Sequence, residues 1–319
     1  MQLAEPGRFE SVSIPQPRDI HDGEVLLRLL SGAICGSDIP NFQGRISLVM
    51  RDTAPGVTTL PGYPMHEVVG EVVASGDPAL NIGDRVVGWA TKADGLAECL
   101  VTRSDSVVRY CASLSPAEAV LIQPLACALY TVDRLGVAGE KVAVIGLGPL
   151  GLMMAHAAKT GGARSVTGVD RVDRRGIAER FGVDTFVHSM ADRWAENIKD
   201  EERPSAIIEA AGHQVATLHN AVSAAAIGGR IFYFGIPDDE FFPFPVNLFL
   251  RRQLTLTSGG VQDRQRWLRT ADAYLAEHPE LLTCITDVFD VREAQEAYDR
   301  ASLHSHGRLK VVLTVGDAR

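Results

Sequence analysis

The stretch KVAVIGLGPLGLMMAHAAKTGGARSVTGVD, Lys141 to Asp170, decides how the rest of the chain is read. Its opening apolar run, Val142 to Ile145, is rich in β-branched residues and short enough for a buried strand. Three glycines follow as G-x-G-x-x-G, at Gly146, Gly148 and Gly151. A helical stretch from Leu150 to Lys159 closes on Gly161–Gly162, and a second apolar strand, Ser165 to Val169, ends on Asp170. Each part has a physical task. Gly146 permits a tight turn, Gly148 lets the backbone approach a pyrophosphate, and Gly151 lets the helix pack closely on the strand. The free N–H groups at the helix start, where Pro149 and Leu150 fall, then hold the phosphates with the positive end of the helix dipole. A carboxylate at Asp170 accepts hydrogen bonds from both ribose hydroxyls and repels a 2′-phosphate, so NAD is expected over NADP. Arg171, Arg174 and Arg175 follow it. They could bind a 2′-phosphate, or form a solvated helix face. The glycines alone are a weak signal, and the plainer reading is a glycine-rich connection in another α/β protein. Strand, turn, helix, strand and acid in order make the dinucleotide reading specific.

Composition narrows the class further. A chain of 319 residues suggests about two domains. Hydrophobic residues make up 46%, enough for a large core, and the formal net charge of −9 with pI near 5.5 offers no basic surface for nucleic acid. No apolar run is long enough to span a bilayer, and the N-terminus lacks a basic-then-apolar signal region, so a cytoplasmic protein without membrane or nucleic-acid partners is expected. The five cysteines, Cys35, Cys99, Cys111, Cys127 and Cys284, are scattered and form no C-x-x-C. A disulfide framework is not expected, and a four-cysteine zinc knuckle is excluded.

Upstream of the central motif, residues 1–112 read as mainly β. Short runs at Glu24–Leu30, Val68–Ala74, Arg85–Gly88, Glu98–Thr102 and Ser106–Arg109 are punctuated by Pro, Gly and Asp. Asn41 to Pro64 reads as one long loop. Its partly apolar set, Phe42, Ile46, Leu48, Val49 and Met50, either shapes a substrate pocket or faces solvent. Ser115 with Pro116 makes a good helix start, and Ala and Leu dominate from there to Leu135. Downstream, helices at Arg171–Phe181, Ala191–Asp200 and Gln214–Ala226 alternate with strands at Thr185–Val187, Ala206–Glu209 and Arg230–Phe234. That alternation marks a parallel sheet covered by helices. A strand at Leu254–Thr257, helices at Asp263–Glu277 and Arg292–Ala301, and a strand at Leu309–Val315 complete the chain.

Two clusters far from the glycines carry metal-binding side chains. Cys35 lies in Ala33-Ile-Cys-Gly-Ser-Asp38, and His66 with Glu67 lies in Gly62-Tyr-Pro-Met-His-Glu-Val-Val-Gly70. Thiolate and imidazole are natural zinc ligands, and a catalytic zinc needs three protein ligands and an open position. Taken singly, a cysteine is commonly a small buried hydrophobe and a histidine a satisfied core or surface residue. Order and context say more. Cys-Gly-Ser-Asp, then His-Glu-Val-Val-Gly-Glu-Val, then Gly83-Asp-Arg-Val86, Gln123-Pro-Leu125 and the glycine motif resemble the zinc-dependent medium-chain alcohol and polyol dehydrogenases. The resemblance runs on through Glu209-Ala-Ala-Gly212, Gly228-Gly-Arg230, Phe234-Gly235 and the closing Gly307-Arg-Leu-Lys-Val-Val-Leu313.

The resemblance implies an α/β chain with a GroES-like β-rich catalytic domain, residues 1–122 and 263–319, and a Rossmann doubly wound parallel sheet, residues 123–262. It implies one catalytic zinc held by Cys35 and His66, with Glu67 and Gln123 as further ligands and Asp38 behind His66 as its hydrogen-bond acceptor. Ser37 would hydrogen-bond the substrate hydroxyl and pass its proton on, and Lys310 would lie close to Glu67. The dinucleotide would meet Gly146, Gly148, Pro149, Leu150, Gly151, Asp170, Arg171, Arg175 and Gly212. The expected reaction is hydride transfer between a secondary alcohol, of polyol, sugar or cyclitol type, and NAD. A homodimer or homotetramer joined at the sheet edge near Leu248 to Thr257 is implied by the same analogy.

The chain departs from that family in three places. Gln123 stands where a glutamate ligand is usual, Pro40 stands where a histidine often ends the proton relay, and Trp89 to Cys99 lacks the cysteine-rich lobe that would hold a structural zinc. These departures leave two alternatives. One is a zinc-free NAD(P)H-dependent reductase of the same superfamily acting on a carbonyl or activated double bond. The other is a nucleotide-binding protein without chemistry.

Overall fold

A computed structural model describes residues 1–17, 19–45, 60–303 and 305–316. The chain forms two compact units. The first is Met1–Ala126 with Asp263–His304 and Arg308–Arg319, and the second is Cys127–Gln262 with Ser305–Gly307.

The first unit begins with the hairpin β1 (Gln2–Glu5) and β2 (Arg8–Glu10) and continues through β3 (Glu24–Ile34), α1 (Asp38–Phe42), β4 (Glu67–Ser75), β5 (Arg85–Trp89), β6 (Cys99–Arg103) and β7 (Val107–Arg109). Then come α2 (Pro116–Ala119) and α3 (Ile122–Leu135), the helix in which the chain passes to the second unit. Ser115 caps α2 by accepting from the Glu118 amide while the Glu118 carboxylate accepts from the Ser115 amide, and Pro116 occupies the first turn.

The second unit alternates strand and helix through β8 (Lys141–Ile145), α4 (Pro149–Thr160), β9 (Ser165–Asp170), α5 (Arg175–Ala178), β10 (Thr185–His188), α6 (Ala191–Asn197), β11 (Ala206–Glu209), α7 (Ala216–Ala224), β12 (Arg230–Tyr233), α8 (Val246–Arg251) and β13 (Thr255–Ser258). Its six strands lie parallel in the order β10-β9-β8-β11-β12-β13. That is the doubly wound arrangement, whose order reverses between β8 and β11. Val142, Val144, Ile207 and Ile231 are buried to the last per cent, as a sheet covered on both faces requires.

After α9 (Arg264–Glu277) the first unit is completed by β14 (Ile285–Asp290), α10 (Ala294–Ser302) and β15 (Lys310–Thr314). Its sheet runs β14-β15-β3-β4-β5-β7, with β6 also paired to β3. The C-terminal strand therefore sits beside β3, with Ile34 opposite Val311. No described helix is long and apolar enough to cross a membrane. None of the five cysteines is joined in a disulfide.

Several expectations need correction. The helix expected over Arg171–Phe181 begins only at Arg175, because the Asp170 and Asp173 carboxylates accept the amides of Val172 and Arg175 and hold the chain in turns first. Asn41–Pro64 is not loop throughout, since Asn41 and Phe42 close α1. Phe42 does not face solvent: it is 2% exposed and packs on Phe9 and Tyr298, with ring centroids 5.1 Å from each. Ile46, Leu48, Val49 and Met50 lie outside the described residues. The link from Trp89 to Cys99 folds back on the segment before β4: the Ala90 amide bonds the His66 carbonyl and the Gly95 amide the Met65 carbonyl. Gly62, at φ +91°, lets the Asp94 carbonyl approach so closely that a Cβ would lie 2.1 Å from it.

Candidate metal centre and dinucleotide turn

Antiparallel pairing of β3 and β4 brings the two sequence clusters together. Ala33 faces Glu67 in the register, so Cys35, just past the end of β3, and His66, just before β4, meet at the same end of the pair. One ligand atom from each of Cys35, His66 and Glu67 falls in a group whose members all lie within 4.8 Å of one another. Asp38, 2% exposed on the first turn of α1, organises this group. One of its oxygens accepts from the Cys35 amide at 2.9 Å and the other lies 2.9 Å from His66 Nδ1. That contact suits a proton on Nδ1 and leaves Nε2 as the nitrogen that could ligate a metal. Burial disfavours the imidazolium, but Asp38 and the Cys35 sulfur outweigh it and hold the His66 pKa well above the ordinary imidazole range.

Glu67 is not idle beside this pair. Both its oxygens accept from Lys310 Nζ, at 2.7 and 2.6 Å, and the two side chains are 1% and 3% exposed. Burial disfavours the ammonium, yet Glu67 and Cys35 reverse the balance and raise the Lys310 pKa, which favours the charged lysine. Ser37 stands at the N-cap of α1 without using its hydroxyl to cap the helix. Pro40 is buried in the same short helix. Gln123 is 2% exposed on the first turn of α3, in the first unit with the other candidate ligands.

Tyr63 and Tyr298 escape a motif reading. The Tyr298 hydroxyl, wholly buried, donates to the Pro64 carbonyl at 2.5 Å and so fixes the segment that delivers His66. Burial, with Asp38 nearby, pushes the pKa of both phenols up. The only trace in the sequence is an aromatic on the apolar face of an amphipathic C-terminal helix, a pattern that signals burial and no more.

In the second unit, the glycine turn has the form its spacing predicts. Gly146 adopts φ +92°, Gly148 is the N-cap of α4, and Pro149 and Leu150 open the helix. A Cβ on Gly151 would lie 1.8 Å from the Gly146 carbonyl, whereas one on Gly148 would meet nothing within 4 Å. Tight packing at the third glycine and open space at the second suit a turn that receives a phosphate. Asp170, at the end of β9, accepts the Leu147 amide at 2.6 Å and the Val172 amide at 2.7 Å, one on each oxygen. A carboxylate has lone pairs beyond these two, so ribose hydroxyls can still be accepted.

The three arginines differ. Arg171 is exposed. Arg175 forks onto Asp173 at 3.1 and 2.9 Å, and hydrogen bonding from Arg175 lowers the Asp173 pKa to about 2. Arg174 is buried and donates to the carbonyls of Ser305 and His306, while the His306 ring bonds the Asp173 carbonyl. Its guanidinium ties down the 305–307 segment and does not form a solvated face. Gly212 takes φ +57° after β11 and donates to Glu209.

Similarity to known proteins agrees with this geometry. Residues 21–146 match the alcohol dehydrogenase GroES-like domain and residues 149–275 the zinc-binding dehydrogenase domain. The L-threonine 3-dehydrogenase of Coxiella burnetii is 27% identical over 89% of this chain and 90% of that protein. The sorbitol dehydrogenase of Bacillus subtilis is 24% identical over 96% and 93%. Among solved structures, the alcohol dehydrogenase TADH from Thermus sp. ATN1 superposes with a TM-score of 0.82 at 26% identity, covering 98% of this chain and 99% of that one. The chain belongs to the zinc-type medium-chain alcohol dehydrogenase family. It is an alcohol dehydrogenase, an enzyme that interconverts alcohol and ketone.

Proposed function

We propose that this enzyme oxidises a secondary alcohol of a polyol, sugar or cyclitol-like compound with NAD, using one zinc ion held by Cys35 and His66. The observation that carries the reading is the convergence of thiol, imidazole and carboxylate within 4.8 Å, with the imidazole tautomer set by Asp38. This donor set fits zinc, which favours sulfur and nitrogen ligands and a carboxylate-backed histidine. Gln123 would add a neutral amide oxygen, a weaker ligand than the usual carboxylate. When bound, zinc supplies Lewis-acid polarisation of an alcohol oxygen.

The chain's own residues do the rest. Asp38 keeps His66 Nε2 directed to the centre and rigid. Lys310 neutralises Glu67, so the centre keeps more positive charge than four protein ligands would leave it. Ser37 takes the hydroxyl proton and hands it to water, since Pro40 has no titratable group to receive it. The glycine turn and the start of α4 hold the dinucleotide phosphates, and Asp170 holds the adenosine ribose. Replacing Ser37 with alanine should lower kcat by about 10²-fold and leave NADH affinity within roughly twofold, while Ser37→Thr keeps most activity. An unchanged kcat in the alanine variant removes Ser37 from the reaction.

NAD is favoured over NADP because a 2′-phosphate would be repelled by Asp170, because Arg174 already serves Ser305 and His306, and because Arg175 already serves Asp173. We expect kcat/KM with NAD to exceed that with NADP by at least about tenfold, from one unfavourable charge contact. Equal or better efficiency with NADP would refute this assignment.

A cytoplasmic homodimer or homotetramer accompanies the proposal. Support comes from β13, an edge strand of the parallel sheet, and from Val246 and Leu250 exposed on α8. The alternative, a zinc-free reductase, draws on Gln123 and Pro40 in place of the family's glutamate and histidine, and on the engagement of both Glu67 oxygens by Lys310. Metal analysis of freshly purified protein, with NADH absorbance followed over a panel of polyols and secondary alcohols, separates the two. About one zinc per chain with NADH formation supports the proposal. Metal-free protein that turns over only carbonyls or activated double bonds replaces it with the alternative.

A further inference from the structure

Glu209 is fully buried at the last paired position of β11, the strand next to β8 where the order of the parallel sheet reverses. A lone carboxylate in that place is costly unless its acceptors are used. Here one carboxylate oxygen is directed at one short loop. Oε1 accepts the amide of Ala211 at 3.1 Å and that of Gly212 at 3.3 Å. Gly235 leaves room on the other side, since a Cβ there would lie 2.4 Å from Oε2. Burial raises the Glu209 pKa, while Thr217 and the amides of Gly212, Ala211 and Gly235 pull it back.

The loop that the carboxylate holds lies directly on the phosphate turn. A Cβ on Gly146 would come within 2.8 Å of the Ala211 backbone, and the Ala210 amide bonds the Ile145 carbonyl at 2.9 Å. Ile145 and Gly146 are the residues from which the turn departs. Three successive residues after β11 are thus pinned on one side by Glu209 and by Ile145, and two of them, Ala210 and Ala211, present their backbone to the first glycine of the motif. Gly212 at φ +57° and His213 at φ +52° then turn the chain away, and the His213 amide bonds the Ile236 carbonyl at 2.8 Å.

We infer that Glu209 is a positioning residue for the dinucleotide: its carboxylate fixes loop 210–212 against Gly146 and so sets the phosphate turn in its receiving shape. The inference rests on the reading that this unit binds NAD(H). It concerns a side chain that need not touch the cofactor, acting through two amides and one packing contact.

Two substitutions of similar size separate hydrogen bonding from packing. Glu209→Met fills the space without an acceptor, and Glu209→Gln keeps one oxygen for the two amides. Two measurements are made on each: NADH affinity by fluorescence titration, and amide hydrogen exchange in cofactor-free protein. For Glu209→Met we expect roughly tenfold weaker NADH binding, from two amides left without an acceptor, and kcat at saturating NAD within about threefold of wild type. We also expect faster exchange at 146–148 and 211–212, with the amides of β9 and β12 unchanged. Glu209→Gln should bind NADH within about threefold of wild type. Met-variant affinity within about twofold of wild type, or unaltered exchange at 146–148, overturns the inference. The exchange result judges it independently of cofactor binding. Failure of wild-type protein to bind NADH or NADPH instead overturns the functional reading.

Discussion

Lys310→Met should destabilise the first unit by about 3–5 kcal/mol, the usual consequence of leaving one buried charge without its partner. Methionine fills most of the space of the lysine stem, so packing is largely kept and the loss reports the stranded carboxylate of Glu67, 1% exposed. The chain has two units, so a global melting curve would mix their transitions. Hydrogen exchange at the amides of β3 and β15, which belong to the first unit, isolates the effect. The double variant Lys310→Met with Glu67→Leu should recover most of the loss, because a buried apolar pair replaces a buried ionic one at little net cost. A single-variant loss below about 1 kcal/mol would mean that Glu67 finds another partner or takes up a proton. The pH dependence follows from the raised Lys310 pKa. A folded-state pKa above the unfolded value means the folded chain binds the proton more tightly. The stabilisation is then complete below the unfolded lysine value of about 10.4 and is lost as pH climbs through the higher folded value. Stability should therefore fall in strong alkali, and less so in the double variant.

Removal of Cys35 or His66, the two proposed zinc ligands, should have the larger catalytic effect. Cys35→Ser or His66→Ala should abolish stoichiometric zinc and lower kcat for alcohol oxidation by about 10³-fold or more, the scale of several kcal/mol of lost charge stabilisation. Asp38→Asn should act more mildly. It keeps the shape but weakens the acceptor for His66 Nδ1–H, and a loss of about 10–100-fold in metal affinity is expected. Metal content and kcat measured on the same preparations decide the matter. If the Cys35 variant retains full turnover and the wild type carries no metal, the zinc-free alternative stands instead. Acid should also release the ion, since a metal at Nε2 displaces a proton that Asp38 and Cys35 hold well above the usual imidazole range.

Legibility in the sequence followed distance along the chain. The dinucleotide turn could be read because its parts are local: Gly146, Gly148, Gly151 and Asp170 lie within one strand–helix–strand passage, and their spacing encodes their roles. The Ser115 cap was visible for the same reason. Over Arg171–Phe181, alternating Asp and Arg resembled a polar helix face. Asp170 and Asp173 instead capture nearby amides, and helix starts four residues late. Phe42 could be read only as part of a loop because its partners are residues 9 and 298, which no window contains. Arg174 could be read either as a 2′-phosphate ligand or as part of a solvated helix face, because its carbonyl partners lie at 305 and 306, outside any local window. Cys35, His66 and Asp38 could be joined only through resemblance, since what unites them is the register of β3 on β4. The Lys310–Glu67 contact spans 243 positions, and no periodicity reports it.

The placement of β15 has a consequence for biosynthesis. Residues 310–314 pair on one edge with β14 and on the other with β3, which leaves the ribosome almost three hundred residues earlier. Contacts of such long sequence separation form slowly, and the nascent β3 must wait with part of one edge open until residues 310–314 have emerged. The parallel sheet, by contrast, is complete once Ser258 has emerged. The parallel sheet can thus form co-translationally before β15, the strand that brings Lys310 to Glu67 at the candidate metal centre, has left the ribosome.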